Sequence, residues 1–167
     1  MTRPANDNRP GDRARVTTFV RVSPQDAFEV FTDEIDAWWR RGPRFRGARP
    51  SVLKFEGGPE GRLVETFDDA SDEVFEVGRI LAWQPGARLS FEWRGKNFGP
   101  DEITAVEVLF EPMNEGTQVT IEHRGWSALP PKHPARHGLA GQALVAMIGL
   151  WWGELATSYR LHTAREK

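Results

Sequence analysis

Gly78-Arg79-Ile80-Leu81-Ala82-Trp83-Gln84-Pro85-Gly86-Ala87-Arg88-Leu89-Ser90-Phe91-Glu92-Trp93 reads as two strands joined by a tight turn. Gln84-Pro85-Gly86 supplies the turn chemistry, since proline presets φ and glycine accepts the conformations that other residues avoid. Beyond it, Leu89, Phe91 and Trp93 alternate with Ser90, Glu92 and Arg94. Period-two alternation predicts a strand with one covered face and one wet face, the mark of an antiparallel sheet.

The same grammar extends in both directions. Candidate strands are Ser51–Glu56, Arg62–Phe67, Glu73–Trp83, Arg88–Arg94, Thr104–Glu111 and Thr117–Arg124, separated by turn-forming clusters such as Glu56-Gly57-Gly58-Pro59 and Asn114-Glu115-Gly116. Val106, Val108 and Phe110 alternate with Glu107 and Glu111, with Leu109 as an intruder; Val119 and Ile121 alternate with Thr120 and Glu122. Val16–Val22 reads as a first strand. Ser23-Pro24-Gln25-Asp26 then carries a helix N-cap, a proline at the first helical position and an acid at N3. A second short helix starts near Thr32 or Asp33 and puts Ile35, Trp38 and Trp39 on one face, ending at Gly42-Pro43. Pro134 is expected to open a long helix to about Thr163, with Leu144, Met147, Ile148, Trp151, Leu155 and Ser158 as its apolar stripe and Trp152 at the edge. Residues 1–14 are expected to form a disordered tail and 15–167 a single domain.

Composition narrows the function. The chain has 167 residues, 39% hydrophobic and 28% charged, so one domain with a sizeable core is expected. A net charge of -2 provides no basic field for nucleic acid. With no cysteine, disulfides, thiolate nucleophiles and cysteine zinc sites are excluded, and a cytoplasmic location is expected. The N-terminal stretch lacks an apolar signal core, and the longest apolar run, Leu144 to Trp152, is far short of the roughly 20 residues that span a bilayer. Seven tryptophans are many for this length, and imply either a large core or an aromatic-lined pocket.

Four segments carry a family resemblance: Phe31-Thr32-Asp33 through Trp38-Trp39; Gly61-Arg62-Leu63-Val64-Glu65; the Gly78–Trp93 hairpin; and Val106-Glu107-Val108 through Gly116-Thr117-Gln118-Val119-Thr120-Ile121-Glu122-His123-Arg124-Gly125-Trp126. In this order they resemble the START-related helix-grip superfamily (SRPBCC), and within it the AHSA-like branch named for the activator of a heat-shock chaperone ATPase. The resemblance spans roughly residues 15 to 163. It implies an α+β helix-grip fold: a curved antiparallel sheet of about seven strands around a long C-terminal helix, with two short helices after the first strand and a cavity between sheet and helix. Residues 57–61, GGPEG, depart from the family's uninterrupted G-G-R.

The expected site follows from strand and helix parity. Phe55, Phe91, Trp93, Phe110 and Ile121 from strands, Met147, Ile148 and Trp151 from the helix, and Trp38 and Trp39 at one end line the cavity or simply pack as core. Glu65 shares parity with Leu63 and Phe67, and His123 with Val119 and Ile121, so a carboxylate and an imidazole also face inward, to orient a ligand or move a proton. One of Trp38 and Trp39 is expected under the second helix and the other at the cavity end. Arg41 and Arg44, in the Arg40–Arg49 run, are placed to hold an anionic head at the mouth, or else answer Asp33, Glu34 and Asp36 as a solvated loop. His133 and His137 lack flanking acids, and no metal or cofactor is expected. Three readings stay open: a binding domain for an apolar or aromatic small molecule; an enzyme of cyclase or hydrolase type using Glu65 and His123; and a protein-interaction module. The glycine strip Gly149/Gly153 admits a second subunit, so a homodimer is a further expectation.

Overall fold

From the second strand onward, consecutive strands pair as their short turns dictate, and the first strand pairs with the last. The computed structural model describes residues 13–39, 50–67, 72–95 and 97–166. Strands β1 (Arg13–Val20), β2 (Ser51–Glu56), β3 (Arg62–Phe67), β4 (Val74–Gln84), β5 (Arg88–Trp93), β6 (Thr104–Met113) and β7 (Gly116–Arg124) form one antiparallel sheet. Its order is β1-β7-β6-β5-β4-β3-β2. Registers slip between Leu63 and Val64 and again between Ile80 and Ala82, which bends the strands and curves the sheet.

One cross-strand row, Ala14–His123–Val106–Phe91–Ile80, runs across five strands and is buried throughout. On the outer face, Arg88 reaches Glu107 at 2.6 Å and Arg94 reaches Glu76 at 3.2 Å, the wet side that alternation predicted. The hairpin glycine Gly78 sits where a Cβ would lie 1.8 Å from the backbone oxygen of Glu92. Only a residue without a side chain lets β4 approach β5 there.

Helices α1 (Pro24–Asp33), α2 (Ile35–Trp38) and α3 (Gly141–Glu166) close the inner face. Ser23 caps α1 as expected, its hydroxyl accepting from Asp26 N–H. Tyr159 Oη on α3 donates to Ala27 O at 2.7 Å, and Ser158 Oγ donates to Trp38 O at 2.6 Å, so α3 is tied to both short helices. Asp36 Oδ1 accepts from Leu53 N–H at 2.9 Å and covers the free edge of β2.

Strand ends shift by one or two residues from expectation, and four larger differences stand out. β1 begins at Arg13, paired with Arg124, so residues 13 and 14 belong to the sheet and not to the tail. Residues 1–12 lie outside the described residues. α2 is a single turn, and Trp39 at its C-cap has extended backbone angles, which removes it from the helical face shared by Ile35 and Trp38. Pro134 opens only a 3-10 turn, Pro134–Arg136; positive φ at His137, Gly138 and Gly141 then separates it from α3. Finally, the buried stripe of α3 is Leu144, Ile148, Trp152, Leu155 and Tyr159. Trp151, expected on the stripe, is half-buried, and Trp152 lies at the stripe's centre.

Candidate functional site

Antiparallel order brings one set of strand termini to the same end of the sheet. Phe67, Trp93 and Arg124 end β3, β5 and β7 there; Arg13, Ser51, Val74 and Thr104 begin β1, β2, β4 and β6. Rings collect at this rim. Trp93 lies 5.0 Å from His123, 5.3 Å from Phe98, 5.6 Å from Trp151 and 5.8 Å from Trp126, centroid to centroid. Trp39 joins from the end of α2, 5.9 Å from Trp151 and 5.5 Å from Trp152. Most of these are edge-to-face contacts, the arrangement that ring quadrupoles favour.

His123 is the polar centre of that cluster and is fully buried. Its Nδ1 accepts the indole N–H of Trp152 at 2.9 Å. Indole only donates, so Nδ1 carries no proton. On the other side, Nε2 lies 2.7 Å from Thr104 Oγ1, whose own hydrogen goes to Trp93 O at 2.9 Å. Nε2 therefore donates, and the ring is a neutral imidazole with both nitrogens engaged. Burial among indoles pushes its pKa down to about 3.

Glu65 also points inward, as parity predicted, in a cross-strand row between Leu53 and Phe75. It is fully buried. Oε1 accepts from Ser51 Oγ at 2.7 Å, while Oε2 is buried without a hydrogen-bond partner among the described residues. The two predicted polar residues are not brought together. β4, β5 and β6 stand between their strands, four strand spacings or about 19 Å along the sheet.

Residues 21–146 match the family described as Activator of Hsp90 ATPase homolog 1-like protein. This chain belongs to that family. Solved structures agree on the fold: the Aha1 dimer from Colwellia psychrerythraea (12% identity, 89% of this chain and 92% of that one, TM-score 0.59) and an HSP90 activator from Plasmodium falciparum (17%, 84% and 88%, TM-score 0.54). DynU16, a putative protein in the dynemicin biosynthetic locus, aligns at 17% identity over 95% of this chain and 49% of its own, with TM-score 0.60. No curated protein matches.

In this AHSA1-like domain the remaining predicted residues separate into groups. Trp38 and Trp39 are both buried and diverge: Trp38 packs on Phe31 and Tyr159 at 4.8 and 5.3 Å, whereas Trp39 reaches the rim. Phe91, Phe110, Ile121 and Ile148 are sealed core. Phe55 and Met147 are half-buried, with Phe55 5.3 Å from Phe91. Arg41 and Arg44 lie outside the described residues. His133 does find an acid, Glu102, 2.9 Å away from the β5–β6 connection. Gly99 N–H and then His133 hold Glu102 below its ordinary pKa. Among the described residues, no three His, Asp or Glu are grouped to hold a metal ion.

Sequence reading missed Thr104, Trp126 and Ser51. Thr104 and Ser51 open strands, where parity carries little information; Trp126 follows the last strand, in a 3-10 turn, outside any alternation.

Proposed function

We propose that this domain binds an apolar or aromatic small molecule at the rim where β3, β5 and β7 end beneath α3. The observation that carries this reading is Trp151. It is half-buried, yet its ring touches Trp39, Trp93, His123 and Trp152. A partly open indole backed by sealed rings offers apolar area without further rearrangement, as ligand pockets do. Native mass spectrometry of freshly purified protein tests for a retained molecule, and tryptophan fluorescence follows titration with aromatic compounds. A Trp151→Ala protein that keeps unchanged affinity for a bound aromatic would remove the rim from the argument.

The cyclase or hydrolase reading draws no support from the geometry, because Glu65 and His123 do not meet and both His123 nitrogens are occupied. A protein partner has one specific observation in its favour. Leu150 and Leu161 are exposed on the outer face of α3, beside a groove of about 420 Å³ that includes Gly149 and Gly153. With family membership, this supports contact with a chaperone or a second copy. Pull-down with an Hsp90-type chaperone and sedimentation of the free chain test it, each against Leu150→Lys. No helix among the described residues is long and apolar enough to cross a membrane. A cytoplasmic location remains our proposal, resting on the lack of cysteine.

A further inference from the structure

The buried oxygen of Glu65 constrains what the rim accepts. A carboxylate in the middle of a strand between Leu53 and Phe75 has left water on both flanks. Ser51 Oγ answers Oε1 at 2.7 Å, and Oε2 is buried with no hydrogen-bond partner among the described residues. Buried carboxylate oxygens are normally paired, because an unpaired one loses hydration and gains nothing in return. A water molecule is a poor remedy, since it needs two to four polar neighbours of its own and the flanking side chains are apolar. Thr66, the next residue, points the other way, its hydroxyl donating to Val52 O.

We infer that the molecule bound at this rim carries a protonated amine, whose N–H donates to Glu65 Oε2 while its aromatic body lies toward Trp93 and Trp151. This rests on the small-molecule reading above. An ammonium is favoured over a hydroxyl because both charges are then neutralised in one charge-assisted bond, which is about twice as strong as a neutral one. An anionic head is disfavoured, since it would place like charge beside a buried carboxylate. That is the reverse of the preference expected from Arg41 and Arg44.

Three probes of one shape test it: 1-naphthylmethylamine, 1-naphthalenemethanol and 1-naphthoic acid, titrated at neutral pH by calorimetry and tryptophan fluorescence. The amine is expected to bind tighter than the alcohol by about tenfold or more, with the acid weakest. Glu65→Gln should collapse the amine-to-alcohol ratio toward one, because the charge that separates the two probes is gone. Glu65→Asp, which keeps the charge, should retain the order amine, alcohol, acid, and serves if the Gln variant does not fold by near-ultraviolet circular dichroism. Equal affinity for all three, or a preference for the acid, overturns the amine while the small-molecule reading stands. An amine preference that survives Glu65→Gln overturns the assignment to Glu65. If none of the three binds, the small-molecule reading falls, and the amine with it.

Discussion

Trp152 Nε1 donates to His123 Nδ1 across 2.9 Å, a single bond that joins the covering helix to the sheet inside the core. Neither group has water as an alternative, because both residues are almost wholly buried. The bond also sets the imidazole tautomer, which leaves Nε2–H for Thr104.

Trp152 should therefore matter more than its neighbour. Trp152→Ala is expected to cost about 3–5 kcal/mol, from lost burial plus the cavity left behind. Trp151→Ala should cost about half as much, since that ring is half-buried. Urea titration of the two variants side by side checks the order.

Thr104→Val keeps the shape and deletes the hydroxyl. It removes the acceptor of His123 Nε2–H and one bond to Trp93 O in a buried site. A loss of about 1–3 kcal/mol is expected by denaturant unfolding.

His123 also sets a pH dependence. Its folded pKa, about 3, lies below the ordinary 6.5 because burial disfavours the cation. Below 6.5 the unfolded chain therefore binds a proton that the folded chain refuses. The stability from this residue is complete above 6.5 and falls by about 1.4 kcal/mol for each pH unit down to about 3. Urea midpoints taken at neutral pH and at about pH 5 should differ accordingly. His123→Asn, which does not titrate, should flatten the slope by one proton's worth.

Gly78→Ala is expected to be severe, costing more than about 2 kcal/mol or abolishing folding. Its new Cβ would sit 1.8 Å from Glu92 O and 2.8 Å from Glu92 Cβ, so β4 and β5 must separate. Circular dichroism melting of the variant checks this directly.

Much of the fold was legible because strands advertise themselves by parity. Leu89, Phe91 and Trp93 declare one face; Val106, Val108 and Phe110, and Val119 and Ile121, declare the same face of the neighbouring strands. Parity also sufficed to turn Glu65 and His123 inward. It says nothing about distance across the sheet, and pairing order set four strand spacings between them.

Residue identity thus determined the strands, the Ser23 cap, the hairpin turn at Gly86 and the inward face of two polar side chains. Tertiary structure decided the rest. Adjacent residues on a helix point about 100° apart, so an apolar run containing both Trp151 and Trp152 is compatible with two rotations of α3. The rotation adopted is the one that lets Trp152 reach His123 and Tyr159 reach Ala27 O. Those partners lie 29 and 132 residues away in the chain. A local pattern holds no record of contacts at that separation, and only folding brings them within hydrogen-bond reach.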